Sequence, residues 1–395
     1  MKRRSPLLVI FVTVFVDMLG YGIMLPLLPF YVQRQAAAGG VGGAAIVGSI
    51  GSLYALMQLI SGPGLGALSD RYGRRPVLLI CLFGTSLAFL LLGLANTLPL
   101  IYLAIMLDGI TGGNLTTAYA YIADVTPPGR RTRGMGMIGA AFGLGLMAGP
   151  AMGGLLSRFG LGVPAFTASA IALLNVIFGL FWLPESLPPE KRAPAIPLEG
   201  LHFIAHLRAL FKLKRIRLLL AAIFTLNLAF SGLQTNFPLF SQARFQWDAG
   251  HNGLFYAYVG ILVVFVQGAL LGWIQPRLGE KRLAAAGLAL MAAGLAGVAL
   301  AAQDWQLYPL VGLVAFGSGI SIPSLTGLAS NQVSSAEQGR LMGGMQVLLS
   351  LTAIIGPAAA GLTFEYIGVP APYWLGGLLA AAAFWLARRG FKALN

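Results

Sequence analysis

Two acidic residues lie inside long apolar runs, where an ionised side chain is costly. Asp17 falls within the run 7–31, and Asp108 falls within the run 99–122. If these runs cross a membrane, each carboxylate costs about 2.5 to 3.5 kcal/mol at mid-depth, so we expect each to face a wet cavity rather than lipid. The chemistry open to such groups is reversible protonation. We interpret Asp17 and Asp108 as proton carriers, while a structural hydrogen bond to a neighbouring helix is the alternative for Asp108.

The elements that must hold these acids are apolar helices. Hydrophobic residues make up 57% of the 395 residues and charged residues only 10%. Runs of about twenty residues, at about 1.5 Å per residue, are long enough to cross a ~30 Å hydrocarbon layer. Twelve such runs can be counted, at 7–31, 45–68, 77–96, 99–122, 135–157, 164–183, 217–240, 252–275, 283–302, 306–328, 341–364 and 372–388. We predict an all-α membrane protein with twelve transmembrane helices.

The positive charge is confined to one set of loops. The net charge is +14, and all of the 26 Lys and Arg residues except Arg34, Arg158 and Arg244 lie at the termini or in loops on one predicted side. The positive-inside rule places both termini and the long middle loop in the cytoplasm of a cell membrane. This distribution accounts for the charge without a nucleic-acid partner.

The chain contains an internal duplication. The segment 66–75 recurs as 272–281, with Gly, Arg and Gly in register at an offset of 206 residues. A second set of positions, Arg133, Gly136 and Gly149-Pro150, recurs at an offset of 207. Parallel repeats of apolar helices are a common architecture of membrane transporters. We predict two pseudo-symmetric six-helix bundles, at 1–187 and 215–395.

A polar stretch, 188–214, separates the two predicted bundles. Its first part is rich in proline and cannot form a regular helix. Its second part alternates apolar and basic residues at helical spacing, which predicts an amphipathic helix on the inner membrane surface. His202 and His206 are spaced like a pair of metal ligands, but no third ligand is near, so we predict no metal site.

The loop segment Gly66-x-Leu68-x-Asp70-Arg71-x-Gly73-Arg74-Arg75 resembles the loop signature of the major facilitator superfamily. The resemblance implies that Asp70 meets the amino end of the eleventh helix near Gly339, where free N–H groups favour an anion. It also implies that Arg74 reaches Asp124. The alternative is that these residues only orient the loop during membrane insertion. The gating residues that we assign are Gly66, Asp70, Arg71, Gly73, Arg74, Arg75 and Asp124.

The predicted fifth helix carries glycines four residues apart. The pattern resembles the fifth-helix signature of antiporters in the same superfamily, and a bare stripe of this kind admits a neighbouring helix closely. Its residues are Gly145, Gly149, Pro150, Gly153 and Gly154. Packing alone is the alternative explanation of the stripe.

The first helix resembles that of twelve-helix drug:proton antiporters, especially the tetracycline-efflux branch. The fourth helix, around Asp108, also resembles the family, which places an arginine where this chain has Ile105. Without that cation Asp108 favours its neutral form, which suits a proton carrier, whereas the absence of the arginine weakens the resemblance to the family's proton relay. That branch also has acids in helices three and nine and a histidine in helix eight, whereas the equivalent positions here are Ala88, Leu290 and Val263. Magnesium-chelated tetracycline is therefore not the expected substrate.

Polar and aromatic residues in the apolar runs form a candidate substrate cavity. Aromatic faces and a few amides suit amphipathic or weakly cationic molecules. The residues are Tyr21, Gln58, Asn114, Asn227, Gln234, Asn236, Phe237, Tyr256, Gln267 and Gln346.

Taken with the resemblance, these patterns predict a monomeric, proton-coupled exporter of amphipathic drug-like molecules, of the kind that confers antibiotic resistance. Two alternatives stay open. The same cycle could export a sugar, metabolite or lipid-like molecule, or the chain could be a non-transporting receptor. We do not expect an enzyme, because the sequence shows no nucleophile–histidine pair and no phosphate-binding loop. We also expect no cofactor.

Overall fold

The computed structural model describes residues 5–39, 43–127, 131–194, 210, 213–334 and 337–393. Regular structure in these ranges is helical, with no strand. In the described ranges, eleven helices are long and apolar enough to cross a membrane, which confirms the all-α membrane protein. They are α1 (Pro6–Gln35), α2 (Gly43–Tyr72), α3 (Arg74–Leu94), α4 (Leu98–Val125), α5 (Gly134–Phe159), α6 (Gly162–Trp182), α7 (Arg217–Phe245), α8 (Ala249–Leu278), α9 (Glu280–Leu300), α10 (Asp304–Ser330) and α11 (Gln338–Tyr366).

The twelfth predicted run is also helical, as α12 (Ala371–Ala393). It is not among the eleven, because its aromatic residues, two glycines and a terminal pair of arginines lower its mean hydropathy. The observed helix of 23 residues contains the whole predicted run and extends beyond its carboxyl end.

Three of the long helices contain a local break. The helix of α1 is interrupted at residues 25–27, around Pro26. Helix α4 narrows to a 3-10 turn at Gly112–Asn114, and α8 widens to a π-helix at Val266–Leu270. Such irregularities often mark functional positions in helices. The break in α4 matters here, because it follows Asp108 by one turn.

The chain forms two compact units. Unit 1 comprises Met1–Gly40, Leu53–Leu201 and Asp248–Ala257, and unit 2 comprises Val41–Ser52, His202–Trp247 and Tyr258–Asn395. Helices α2 and α8 are therefore each divided between the units. The boundaries at 187 and 215 stay a prediction. The predicted amphipathic helix, with His202 and His206, falls on residues that lie outside the described ranges, except for Leu210 and the last two positions of the segment.

Helix pairing is the same within each unit. In unit 1, α1 packs against α5 and α6, and α3 packs against α4 and α6. In unit 2, α7 packs against α11 and α12, and α9 packs against α10 and α12. The duplication of the sequence thus reappears as a duplication of packing. In unit 1 the buried side chains of Ile10, Val14, Tyr121 and Ile122 form part of one apolar core that holds α1 against α4.

Candidate functional site

A cluster of polar side chains lies among the helices of unit 1, and it contains both predicted proton carriers. We call it the polar cluster. Its members come from α1, α2, α3 and α4, and they are Asp17, Tyr21, Tyr54, Gln58, Thr85, Asp108, Thr111 and Asn114. Hydrogen bonds and one ring contact connect these side chains across the four helices.

Asp17 lies on α1 and is 7% exposed. Its Oδ2 accepts a hydrogen bond of 3.0 Å from Nδ2 of Asn114, which stands in the 3-10 turn of α4. The apolar core below this pair fixes α1 against α4, so the separation of the two side chains is set by helix packing. An amide donor is neutral, and it leaves the other carboxyl oxygen available to gain or lose a proton.

Asp108 lies on α4 and is 5% exposed. Thr111 Oγ1 lies 3.3 Å from the backbone carbonyl oxygen of Asp108 and 3.1 Å from Thr85 Oγ1 on α3. Thr111 Oγ1 also lies 3.0 Å from the carbonyl oxygen of Leu107. The two threonine hydroxyls and the backbone of α4 thus form one hydrogen-bonded group next to Asp108, and this group connects α4 to α3.

The described groups next to the two acids are neutral. They are the amide of Asn114 at Asp17 and the hydroxyls of Thr85 and Thr111 near Asp108. Within the described ranges no ion pair involves Asp17 or Asp108.

Aromatic and amide groups of α1 and α2 complete the polar cluster. The rings of Tyr21 and Tyr54 stack with centroids 5.5 Å apart. Gln58 Nε2 donates to the carbonyl oxygen of Gly112 at 3.1 Å, at the break in α4. Ile105, at the position of the missing family arginine, is buried on the same helix as Asp108. Sequence reasoning named Tyr21 and Gln58 but not Tyr54.

The predicted gating residues form a second network, at the turn between α2 and α3. The side chain of Arg74 is 9% exposed, its Nη1 lies 2.5 Å from Asp70, and its Nε lies 3.0 Å from Asp124. Arg75 Nη2 donates to the carbonyl oxygen of Leu180 at 2.6 Å. Asp70 and Arg74 belong to adjacent helix ends, joined at Gly73, where φ is +105° and a side chain would be strained.

Glu185 is a member of this network that sequence reasoning missed. It lies just after α6, and its Oε1 accepts a hydrogen bond of 2.9 Å from the backbone N–H of Arg74, at the start of α3. Its Oε2 accepts from the N–H of Arg75 at 3.3 Å and lies 3.9 Å from Arg192 Nη2. Ser186 Oγ donates to Asp124 at 3.1 Å. Glu185 therefore caps α3 and fixes the segment that follows α6 against the turn.

The other gating residues are more peripheral. Arg71 is exposed and lies over the ring of Tyr72, at 5.4 Å from its centroid. Nothing lies within 4 Å of a Cβ built on Gly66, whose carbonyl oxygen accepts a hydrogen bond from Ser69.

The glycine stripe of α5 lies against α1. A Cβ added to Gly145 would come within 2.6 Å of Met18, and one added to Gly149 would come within 2.6 Å of Gly22. Gly153 lies against the backbone of Ile23. The stripe thus lets the backbone of α1 approach closely at the turn that follows Asp17.

The end of the stripe contacts the first turn of α8, within unit 1. A Cβ on Gly154 would lie 2.8 Å from the Cα of Gly253, and a Cβ on Gly253 would lie 2.5 Å from the carbonyl oxygen of Pro150. Asp248 precedes this turn and accepts the His251 N–H at 2.8 Å, which lowers the pKa of Asp248. Substitution of either glycine would force the two helices apart.

The cavity residues predicted in α7, α8 and α11 lie in varied surroundings. Asn227 Nδ2 donates to Ile223 of its own helix at 2.8 Å, and Phe237 is buried against Trp247 at 6.2 Å between ring centroids. Asn236 is fully buried. Tyr256 is half-buried, and three glutamines are exposed: Gln234, Gln267 and Gln346.

Comparison with known proteins finds similar sequences over most of the chain. A model of the Major Facilitator Superfamily matches residues 10–279 and 268–393. The class C tetracycline resistance protein of Escherichia coli is 36% identical over 357 residues, which cover 90% of this chain and 89% of that protein. Major facilitator superfamily domain-containing protein 10 of Homo sapiens is 28% identical, over 97% of this chain and 90% of that protein.

Two solved structures are also similar. The crystal structure of the human organic anion transporter MFSD10 (TETRAN) has a TM-score of 0.73 and 27% identity, and the match covers 98% of this chain and 100% of that one. The nucleoside transporter NupG has a TM-score of 0.77, with 16% identity and coverage of 99% and 100%. At that identity the second likeness shows the fold alone.

Proposed function

The chain belongs to the Major Facilitator Superfamily, and we propose that it exports amphipathic drug-like molecules in exchange for protons. The observation that carries this proposal is the pair of buried carboxyl groups in the polar cluster: Asp17 accepts from the neutral amide of Asn114, and no ion pair in the described ranges involves either acid. Such groups can cycle between charged and neutral forms at modest cost, since no fixed cation holds them ionised. The similarity to tetracycline resistance proteins supports the export of a drug-like substrate.

In the proposed cycle, two six-helix bundles open a central path alternately to each side of the membrane. Asp17 and Asp108 release protons to the cytoplasm and take up protons from outside, so that substrate and proton bind in competition. At 100 mV, one proton moving inward supplies about 2.3 kcal/mol. That energy supports roughly fiftyfold accumulation, at about 1.4 kcal/mol per factor of ten. Both termini lie in the cytoplasm of the cell membrane in this orientation.

The other predicted residues take roles that follow from their contacts. The α2–α3 turn, with Asp70, Arg74 and Asp124, acts as the gate on the cytoplasmic side. The glycine stripe of α5 lets α1, and with it Asp17, move as a close-packed unit with α5. The cavity residues supply aromatic and amide contacts to the substrate, and Asn114 among them bonds Asp17 directly.

A second candidate is export of an organic metabolite, which the similarity to MFSD10, named as an organic anion transporter, favours. The polar cluster opposes it for anionic substrates. Two buried carboxyl groups without a cationic partner in the described ranges would repel an anion, whereas they would attract a weak organic cation.

The test is substrate flux into liposomes under an imposed pH gradient, with ethidium, tetracycline and an organic anion as separate probes. The intact protein is compared with Asp17→Asn, Asp108→Asn and Asp304→Asn. Asp304 is an exposed acid at the start of α10 and serves as the matched control. We expect at least a tenfold loss of gradient-driven ethidium flux in the first two variants and no loss in the control, because an amide cannot carry a proton. Thermal unfolding in detergent verifies that each variant is folded.

Three outcomes separate the candidate functions. Full flux in both Asp17→Asn and Asp108→Asn would show that these acids are not the proton carriers. Flux of an organic anion but not of ethidium would favour the metabolite exporter. A folded protein that moves no compound from a broad panel would instead favour the non-transporting receptor.

A further inference from the structure

Helices α7 and α12 of unit 2 pack together, and cations gather at one end of the pair. A Cβ built on Gly390, near the end of α12, would lie 3.1 Å from the side chain of Leu219, near the start of α7. The helices are antiparallel, because Gly376, earlier in α12, lies against Ala229, later in α7. The exposed cations at this end form what we call the basic cluster: Arg215, Arg217, Arg388, Arg389 and Lys392.

Two arginines of the basic cluster are held over aromatic rings of their own helix. The guanidinium carbon of Arg389 lies 3.7 Å from the centroid of the Trp385 ring, and that of Arg388 lies 5.3 Å from the centroid of the Phe384 ring. Each ring is one turn earlier in α12, so each guanidinium reaches back from the helix end toward the apolar part of the helix. Trp385 is 52% exposed, and an exposed tryptophan near the end of a membrane helix is typical of headgroup depth. The two guanidiniums are therefore positioned at the depth of lipid phosphates.

The charge of the basic cluster is not balanced by the described residues of unit 2. In the described ranges no ion pair involves a member of the cluster. Unit 2 contains four acidic residues, and two of them, Asp304 and Glu365, lie at the opposite helix ends, because successive membrane helices alternate in direction. The other two have partners: Glu280 accepts from a side-chain amide, and Glu337 lies 2.7 Å from Arg340. The charge is thus left for an outside anion to balance.

The geometry of the basic cluster indicates which anion fits. A guanidinium that stacks on a ring uses its flat face, and the N–H groups along its edge can still donate. Such a planar fork matches the oxygens of a phosphate. The exposed face of Trp385 and the neighbouring apolar surface of α12 suit an acyl chain. A soluble phosphate would contact only the cations, whereas a phospholipid contacts both the cations and the ring.

We propose that the basic cluster of α7 and α12 binds the headgroup phosphate of an anionic phospholipid. Arg388 and Arg389 bind the phosphate oxygens, and Trp385 positions Arg389 and packs against the acyl chain. An anionic lipid is favoured over a zwitterionic one, because several cations meet at this site and a zwitterionic headgroup carries a cation of its own. The site lies in unit 2, whereas the polar cluster lies in unit 1, and binding to it requires neither a proton gradient nor a transported substrate.

The test measures lipid binding to the delipidated full chain by native mass spectrometry in a neutral detergent. The probes are dioleoyl phosphatidylglycerol and dioleoyl phosphatidylcholine, which share acyl chains and differ in headgroup charge. We expect phosphatidylglycerol to bind about tenfold more tightly, and we expect this preference to fall to about twofold or less in the double variant Arg388→Gln/Arg389→Gln. Arg244→Gln removes an exposed cation from the opposite end of α7 and should keep the preference.

Two further variants distinguish a built site from general attraction to a positive surface. Arg389→Lys keeps the charge but loses the planar fork, and Trp385→Leu keeps every charge but loses the ring. Each should reduce the preference about threefold. If both variants behave as the intact protein does, or if Arg244→Gln loses the preference as fully as the arginine double variant, the proposal is wrong.

A third probe distinguishes a lipid from a soluble phosphate. Glycerol 3-phosphate has the same phosphate chemistry without acyl chains, so we expect it not to displace phosphatidylglycerol at an equal concentration. Displacement would overturn the assignment to a lipid. The substituted side chains are exposed, and thermal unfolding in detergent verifies that each variant is folded. Because no gradient is applied, failure of the flux experiment on Asp17 and Asp108 would leave this result unaffected.

Discussion

The α2–α3 turn and the α8–α9 turn occupy equivalent places in the duplicated sequence. Their backbones are nearly the same: Gly73 has φ +105° and ψ 156°, and Gly279 has φ +75° and ψ 156°. The residue that follows differs in charge. In unit 1 Arg74 lies 3.0 Å from Asp124, whereas in unit 2 Glu280 accepts from Asn331 Nδ2 at 3.3 Å. Asn331 is 207 residues after Asp124, so the same pair of positions is in contact in both copies.

The first residues of α3 and α9, the helices that follow the two turns, differ in charge. This difference explains why the two helix ends have different hydrogen-bond partners. Helix α3 begins with Arg74 and Arg75, and two cations at a helix amino end oppose the helix dipole. The Glu185 carboxylate caps this end from the segment after α6. Helix α9 begins with Glu280, which already has the favourable sign. At the offset of 207, the position equivalent to Glu185 is Lys392.

Among the described residues, both copies have the glycine turn, but ion pairs join the turn to the neighbouring helix end only in the first copy. A glycine at positive φ is required by backbone sterics, so it is retained wherever the turn is retained. The charges are not required by the turn. The ionic copy is therefore where we expect substitutions to affect both stability and flux.

The largest effect is expected from removal of the cation at the centre of the ionic copy. Arg74→Gln leaves Asp70 and Asp124 without their cation, and the buried position of the Arg74 side chain raises the cost to about 2 to 3 kcal/mol. The counterpart Glu280→Gln keeps an oxygen that can accept from Asn331, so we expect a change within about 0.5 kcal/mol. Thermal unfolding in detergent, together with ethidium flux, measures both.

If Arg74→Gln and Glu280→Gln lower the unfolding temperature equally, the contrast between the copies is wrong. Arg74→Lys is the control for charge alone, since it keeps the cation but loses the fork that reaches two carboxylates. We expect it to fall between the intact protein and Arg74→Gln.

The two turn glycines provide the second test. Alanine at either position is strained by the positive φ, at about 1 to 2 kcal/mol. At Gly73 the new Cβ would also collide with the Glu185 carboxylate and lie 3.0 Å from Arg192, whereas at Gly279 nothing lies within 4 Å. Gly73→Ala should therefore lower the unfolding temperature more than Gly279→Ala. Equal shifts would mean that Glu185 moves aside without cost.

The sequence predicted the parts of this structure that are encoded by spacing. The apolar runs predicted the helices, because length and hydropathy determine membrane spans. The glycine spacing in α5 indicated a close approach, and the structure places α1 there. The resemblance also named Arg74 and Asp124, which the structure brings to 3.0 Å.

The rest depended on contacts that have no periodic signal. Glu185 caps a residue 111 positions earlier, and nothing in the sequence connects the two. Thr85 and Thr111 escaped notice because a threonine in an apolar helix commonly bonds a carbonyl of its own helix, as Thr111 does with Leu107. Phe237, which the sequence assigns to the cavity by residue type, also has a ring contact with Trp247 that no periodic signal indicates.

A third test isolates the cap on the ionic copy. Glu185→Gln removes the negative charge from the amino end of α3 and weakens hydrogen bonds to the N–H groups of Arg74 and Arg75, at a cost of about 1 kcal/mol. Glu190→Gln changes an exposed acid on the same segment and serves as the control, with a change within about 0.5 kcal/mol. Thermal unfolding at low and high salt distinguishes them, because screening should reduce the difference.

The smallest effect comes from building the ionic pair into the second copy. Glu280→Arg alone places a cation at the start of α9 without an equivalent of Glu185, so we expect a loss of about 0.5 to 1 kcal/mol. Asn331→Asp, added to it, should recover about 0.5 kcal/mol through a partly exposed ion pair. Unfolding temperatures of the intact protein, both single variants and the double variant form a cycle that measures this coupling. The backbone of the turn is nearly the same in both copies. A coupling energy near zero would therefore mean that the 3.0 Å contact between Arg74 and Asp124 depends on Glu185 and its neighbours as well as on the two charges.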